Sequence, residues 1–278
     1  MPALSVTIIT KNEAANIAAA VQSAAWADEI VVVDCGSTDA TVQIARSMNA
    51  RVVHHPWQGY AEQKNVAADA AAHEWILSLD ADERITPPLA QEIRTLLATE
   101  PAHAGYRIPR VSWYLGRWIR TTDWYPDPQL RLYDRRRARW RLRRVHESVT
   151  VEGTTGRVQH EIEHRPYRDL AHHLETMNRY TSLAAADMFD AGRRARVVSL
   201  VAQPAAAFLR NYVARRGFLQ GSAGLVVSAL NSYYVFLKFA KLRELQTRDP
   251  RTRDLRTRDP QTQDPRTRHP EAETPDPE

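Results

Sequence analysis

The run Trp75-Ile76-Leu77-Ser78-Leu79-Asp80-Ala81-Asp82-Glu83 passes from unbroken apolar character to a cluster of carboxylates. A strand with apolar side chains on both faces belongs inside a parallel sheet, and open α/β sheets bind ligands beyond the carboxyl ends of their strands. Asp80 and Asp82 would sit at that rim. Carboxylates spaced i, i+2 on an extended segment point the same way, so together they can hold a hard cation against a diphosphate. The chemistry suggested is metal-assisted transfer from a nucleotide-linked donor.

Other groups fall on the same rim if the strands are parallel and share one sheet. The first apolar run ends at Thr10-Lys11-Asn12-Glu13, the second at Asp34-Cys35-Gly36-Ser37-Thr38-Asp39, and Gln63-Lys64-Asn65 sits on an intervening helix. Acidic side chains there can accept hydrogen bonds from a base edge or ribose hydroxyls while a metal neutralises the diphosphate. Thr10, Glu13, Asp34, Ser37, Asp39, Lys64 and Asp80 are therefore the donor-binding candidates. Singly they are ambiguous, since a strand-end Asp equally caps a helix and a lysine ordinarily lies on the surface.

The elements that must position these residues alternate in the manner of stacked βα units. Residues 5–10, 29–34, 51–54 and 75–80 read as strands; Ala-rich stretches near 14–25, 39–48 and 60–72 read as helices. Ser37-Thr38-Asp39 is expected to cap the second helix and leave free backbone N–H groups near its start. From about 105 to 165 the pattern turns irregular, implying short strands and long loops that close over the rim. A helix is expected from near 167 to about 191, with Leu170, Leu174, Met177 and Tyr180 facing a core.

Residues 197–209 and 218–237 are apolar, edged by Arg193, Arg194, Arg196, Arg210, Arg215, Arg216 and Lys238. The second is long enough for a spanning helix, which needs ~20 residues, but Gln220, Ser222, Ser228, Asn231 and Ser232 dilute it. Helices lying in a membrane interface suit this pattern, with packing helices and a true span as alternatives. After Leu245 a degenerate repeat of the type Thr-Arg-Asp-Pro-Arg carries almost no apolar residues and is expected to be disordered. The expected division is a catalytic domain over 1–165, with nucleotide binding in 1–100 and acceptor binding in 101–165. A helical region over 166–245 and a tail over 246–278 follow.

At 278 residues the chain can build an ample core. The single Cys35 rules out an internal disulfide and fits a reducing cytosol, and the opening residues lack a secretory signal pattern. Net charge is +5, but between Arg107 and Glu147 twelve Arg face only Asp123, Asp127, Asp134 and Glu147. Such a patch, interleaved with Trp113, Trp118, Trp124 and Trp140, would attract a nucleotide, an anionic lipid surface or nucleic acid. The rim carboxylates oppose a phosphodiester backbone, so nucleic acid is not expected.

Taken together, Val6-Thr7-Ile8-Ile9-Thr10-Lys11-Asn12-Glu13, Val31-Val32-Val33-Asp34-Cys35-Gly36-Ser37-Thr38-Asp39 and Leu79-Asp80-Ala81-Asp82 resemble the amino-terminal half of a glycosyltransferase family 2 enzyme. The resemblance implies a GT-A fold, a Rossmann-like, mostly parallel mixed sheet flanked by helices. It also implies a nucleotide-diphosphate-sugar donor, a Mg²⁺ or Mn²⁺ ion and inversion at the anomeric carbon. By the family pattern Glu13 and Asp34 would hold base and ribose, Asp80 would lie near ribose and diphosphate, and Asp82 would bind the metal. Tyr125-Pro126-Asp127, Arg131-Leu132-Tyr133, Val145-His146-Glu147, His164-Arg165-Pro166-Tyr167 and Arg215-Arg216-Gly217-Phe218-Leu219 are similar to the bacterial lipopolysaccharide core glucosyltransferase branch. That likeness implies UDP-glucose as donor, a lipid-linked saccharide acceptor and a peripheral location on the cytoplasmic face of the inner membrane. Gln220 departs from the acidic residue of that branch.

Inverting transfer needs a base for the acceptor hydroxyl. Glu147 is the first candidate and Asp127 the second, with His146 a possible further metal ligand or acceptor-orienting group. Arg131, Arg143 and Arg144 can meet donor or lipid phosphates. A phosphohydrolase using Asp-x-Asp expects Thr or Val where this chain has Arg84, and a nucleotidyltransferase needs a Gly-rich loop absent from residues 10–16. A basic surface-binding protein without catalysis would leave the rim carboxylates unexplained.

Overall fold

The computed structural model describes residues 2–141 and 148–248. Strands β1 (Leu4–Thr10), β2 (Glu29–Asp34), β3 (Arg51–His54) and β4 (Trp75–Asp80) run parallel in the order β3-β2-β1-β4. Register pairs Thr10 with Asp34 and Ile9 with Asp80, so the strand ends lie level along one rim. Both faces are covered. Helices α1 (Ile17–Ala24) and α2 (Thr41–Ser47) share one apolar core with Val6, Ile8, Leu77 and Leu79, while α3 (Tyr60–Ala70) packs with Val31, Val33 and Ile76. Burial on both faces is why these strands read as continuous apolar runs.

β4 stops at Asp80, Ala81 and Asp82 form a tight turn, and β5 (Glu83–Ile85) follows at once. The extended geometry expected across Asp80 and Asp82 is therefore corrected. α4 (Pro87–Ala98) begins with Pro at its first position and a Thr86 cap, and adds Leu89, Ile93 and Leu97 to the first core.

Residues 105–165 are more regular than long loops. β6 (Gly105–Ile108), β7 (Arg110–Tyr114), β8 (Arg117–Ile119), β9 (Gln129–Asp134), β10 (Ala138–Arg141), β11 (Ser148–Val151), β12 (Thr155–Arg157) and β13 (Ile162–His164) occupy much of this stretch. β9 lies antiparallel to β4, completing the seven-stranded order β12-β6-β9-β4-β1-β2-β3. β5-β13-β7-β8 form a second, four-stranded sheet, and β10 pairs with β11. Arg, Trp and Tyr mask the period-two pattern because they bury their stems while keeping polar tips paired.

α5 (Leu170–Asp190) starts at Asp169, whose carboxylate accepts from the His172 N–H at 2.8 Å. Its buried stripe is His173, Met177, Thr181, Ala185 and Met188; Leu170 and Leu174, expected in the core, are exposed. α6 (Ser199–Leu209) continues through a π-helical turn, and α7 (Gly221–Arg248) runs three residues beyond the expected start of the tail. Gly217–Arg248 is long and apolar enough to cross a membrane, at a mean hydropathy of 1.3, and only 22% of that window is buried. Val198, Val201, Leu209, Phe218, Leu219 and Phe236 are exposed on these last elements.

Candidate active site

The first two rim loops are stitched together by side chains. Buried Asp34 accepts from the N–H groups of Gly36 and Ser37 at 2.9 and 3.1 Å and from the Ser37 hydroxyl at 2.5 Å. Asn12 accepts from the Thr38 N–H, and its own N–H donates to Ser37, both at 2.8 Å. Asp39 accepts from the Thr41 and Ala14 N–H groups. The Gly36, Ser37 and Thr38 N–H groups are thereby engaged within the loops, and at the start of α2 Asp39 takes the Thr41 N–H. Burial alone would raise the Asp34 carboxyl, but the Ser37, Gly36 and His54 bonds outweigh it and hold it below its ordinary value. Thr41 bonding lowers Asp39. Glu13 moves the other way, raised by burial and by the neighbouring Asp82 charge against the opposing Asn16 bond. Thr10 is buried, and its hydroxyl has no hydrogen-bond partner among the described residues.

Lys64 is not a surface residue. Its ammonium lies 3.0 Å from Asp80 Oδ1 and 4.5 Å from the Trp140 ring centroid, with flanking Gln63 and Asn65 also buried. Arg131 donates to Asp80 Oδ2 at 2.6 Å. Burial would push the Asp80 carboxyl up, but Arg131 and Lys64 bring it well below the ordinary carboxylate range. With both oxygens taken by cations, Asp80 has little capacity left for a metal, whereas Asp82 pairs with neither Lys64 nor Arg131.

Asp82 Oδ2 lies 3.3 Å from His164 Nε2, and the other ring nitrogen of His164 lies 3.3 Å from the Ser112 hydroxyl. A carboxylate and an imidazole whose far nitrogen is oriented by a hydroxyl form a sound partial ligand set for Mg²⁺ or Mn²⁺, which keeps positions for phosphate oxygens and water. No group of three ligating side chains occurs among the described residues. Sequence reasoning quoted His164 only as part of a motif; its closeness to Asp82 depends on β13 lying beside β5. His146 and Glu147 lie outside the described residues.

Asp127 accepts from Arg110 Nη2 at 2.6 Å and from Gln129 at 2.5 Å. It therefore stands as an ion-pair partner at the mouth of the second sheet. Arg110 also donates to Glu83 at 2.9 Å, and Glu83 is fully buried. Neither Glu83 nor Arg110 was singled out from sequence; the carboxylate directly after Asp82 was the available signal. Part of the arginine excess between residues 107 and 147 is met by acids outside that stretch: Arg120 pairs with Glu161, Arg136 with Glu74 and Arg139 with Asp69.

Beyond the second sheet lies a seam with the carboxyl-terminal helices. Tyr114, Trp124, Tyr167 and His173 pack as one aromatic group, with the Tyr167 and His173 rings stacked at 3.9 Å. The Tyr114 hydroxyl lies 2.8 Å from His173 Nδ1, and Trp124 Nε1 donates to Asn231 at 3.2 Å. Asn211, wholly buried, accepts from the Asp123 N–H at 2.7 Å and from Asn231 at 3.0 Å. This seam holds α7 against the 122–127 segment that ends in Asp127.

Parallel strands ending in carboxylates, a Lys–Asp–Arg cluster and an Asp–His pair thus meet along one rim. Residues 5–156 match the pattern of the family described as Glycosyl transferase family 2. The chain belongs to that family. It is 31% identical over 247 residues, 86% of this chain and 91% of the relative, to the lipopolysaccharide core biosynthesis glycosyltransferase LpsC of Rhizobium meliloti. An uncharacterized glycosyltransferase of Rickettsia typhi is 31% identical over 260 residues, 89% of each chain. Among solved structures, the mannosyltransferase PcManGT from Pyrobaculum calidifontis, in complex with GDP-Man and Mn²⁺, shares the fold at a TM-score of 0.53 and 16% identity, covering 89% of this chain and 88% of its own. This family 2 chain is thus a nucleotide-sugar glycosyltransferase of GT-A-like fold.

Proposed function

We propose that this glycosyltransferase moves a hexose, glucose first among candidates, from a nucleotide-diphosphate sugar to a lipid-linked saccharide of the lipopolysaccharide inner core, with inversion. The observation that carries this reading is the 31% identity to LpsC over nearly the whole of both chains, carboxyl-terminal helices included. The Asp34 loop and Glu13 hold base and ribose, and Lys64 and Asp80 lie toward the diphosphate. Asp82 and His164 would hold a Mg²⁺ or Mn²⁺ ion, which when bound supplies charge neutralisation for the leaving diphosphate. Glu147 takes the proton from the acceptor hydroxyl, a role for which Asp127, held by Arg110, is less free.

The acceptor assignment brings the membrane with it. The stretch from the start of α6 to the turn before α7 exposes Val198, Val201, Leu209, Phe218 and Leu219 beside Arg210, Arg215 and Arg216, a combination that suits a peripheral position on an anionic bilayer, here the cytoplasmic face of the inner membrane.

The test is a screen of nucleotide sugars for metal-dependent turnover, UDP-glucose and GDP-mannose included, against lipopolysaccharide acceptors lacking outer sugars. UDP-glucose turnover that needs Mg²⁺ or Mn²⁺ and falls roughly 10²–10⁴-fold in Glu147→Gln, with donor binding preserved, is the expected result. Normal turnover in Glu147→Gln moves the base elsewhere, and turnover only with another sugar replaces glucose.

A further inference from the structure

Six side chains form one unbroken line of alternating charge through the catalytic half: Lys64, Asp80, Arg131, Glu83, Arg110 and Asp127. The successive separations are 3.0, 2.6, 2.7, 2.9 and 2.6 Å. Three cations and three anions leave the line neutral. It starts on α3, crosses β4, β9, β5 and β7, and ends in the segment that precedes β9. One end is the Lys64–Asp80 pair, on the donor side of the rim. The other is Asp127, on the segment tied through Trp124 and Asp123 to the carboxyl-terminal helices.

Glu83 is the junction. It is 0% exposed, Arg131 is 3% exposed, and neither can be held charged there except by its partners. Glu83 Oε1 accepts from both Arg110 Nη1 and Arg131 Nη2, and Oε2 accepts from the Asp80 N–H at 3.0 Å. That last bond pins the backbone at the point where β4 breaks into the turn carrying Asp82. A single carboxylate therefore fixes the guanidinium that holds Asp80, the peptide from which the Asp82 turn starts, and the guanidinium that holds Asp127. A hydrophobic residue of equal volume would satisfy packing but none of these three donors.

The geometry points to Glu83 as a positioning residue that couples the donor end of the site to the acceptor end through its two arginines. It touches no reacting atom. An incoming diphosphate that draws on the Lys64 ammonium loosens its pair with Asp80; Asp80 then tightens on Arg131, and the change passes through Glu83 to Arg110 and Asp127, because Arg131 and Arg110 are each shared between two carboxylates. The substrate effects rest on the sugar-transfer reading, whereas the coupling itself is testable in the unliganded enzyme.

Thermal unfolding of Asp80→Asn, Asp127→Asn and the double variant, each in the wild-type and in the Glu83→Gln background, tests it. In the wild-type background the double variant should lose roughly 2–4 °C more than the sum of the single losses, since two missing anions leave the line with uncompensated charge at both sides of one carboxylate. In Glu83→Gln the losses should add. Additive losses in the wild-type background, or unchanged excess loss in Glu83→Gln, overturn the coupling. If Glu83→Gln does not fold, Arg110→Gln cuts the line at a less buried link and must also abolish the excess. Kinetics with UDP-glucose and Mn²⁺ then separate positioning from mere stability. Glu83→Gln should raise the donor KM and lower kcat together, each about tenfold, while Arg110→Gln lowers kcat and leaves the donor KM within about twofold. Unchanged kcat and KM in folded Glu83→Gln overturn the positioning role. Absence of UDP-glucose turnover in the wild type counts against the proposed donor and leaves the thermal cycle to decide the coupling.

Discussion

The rim of the main sheet and the seam beneath the carboxyl-terminal helices are both polar and both largely buried, yet they are built from different materials. The rim uses full charges: Lys64, Asp80, Arg131, Glu83 and Arg110 in series. The seam relies mainly on neutral groups, the Tyr114–His173 and Trp124–Asn231 hydrogen bonds and the buried amide of Asn211, with Asp123 as its partly exposed anion. Buried charges are expensive and are retained where they orient a charged ligand or one another. Neutral hydrogen bonds and ring stacking suffice where the task is only to hold two bodies together. The difference fits the proposed chemistry at the rim and attachment at the seam.

The largest expected effect lies at the rim. Asp82→Ala should lower turnover by on the order of 10²–10³-fold, the scale of losing one electrostatic element of a site, while the melting temperature stays within about 2 °C. A large loss of stability would mean that the Asp82–His164 pair also serves the fold, and the contrast with the seam would narrow.

At the seam the expected loss is in folding. A side chain on Gly224 would place its Cβ 1.8 Å from the Gly217 carbonyl oxygen, where two turns of backbone approach each other. Gly224→Ala should therefore destabilise by about 3 kcal/mol, the upper range for overpacking, measured by denaturant unfolding. Full stability in this variant would show that the 211–224 turn yields easily and is not the anchor of α7.

The smallest effect is one of pH. Burial, with a further contribution from His172, lowers the His173 imidazole to about 4. The folded state therefore binds its proton later than the unfolded state, so stability is full above about pH 6.5 and falls as pH drops toward 4. The Asp80 carboxyl, lowered by Arg131 and Lys64 against its burial, makes its full contribution above the ordinary carboxylate value and loses it only as pH falls from there toward its lowered one. Hydrogen exchange between pH 7 and 4.5 should show α5 and α7 losing protection while β4 keeps it, with the loss diminished in His173→Gln. Equal loss in β4 would break the comparison.

The rim was legible at the level of strands and less so at the level of bonds. Apolar runs ending in Asp34 and Asp80 identified β2 and β4 because a strand buried on both faces has no polar period to confuse it. The same residues did not reveal that Asp34 is bound to its own loop, or that Lys64 turns inward to Asp80. Those facts depend on which loop and helix lie next to each strand end. In α5 the helix was evident, but the stripe centred on His173 and Thr181 was not, since its polar members look like surface residues until the aromatic group they face is known.

The sequence by itself determined the βα order, the carboxylates at the strand ends, the apolar carboxyl-terminal segments and the family likeness, because all of these are local in the chain or set by short spacing. Only the tertiary structure decided that Asp80 is neutralised by two cations, that Asp82 meets His164, and that Glu83 joins Arg131 to Arg110. Each of those contacts crosses between different elements of the fold, and a buried charge takes its role from whichever partner the fold delivers to it.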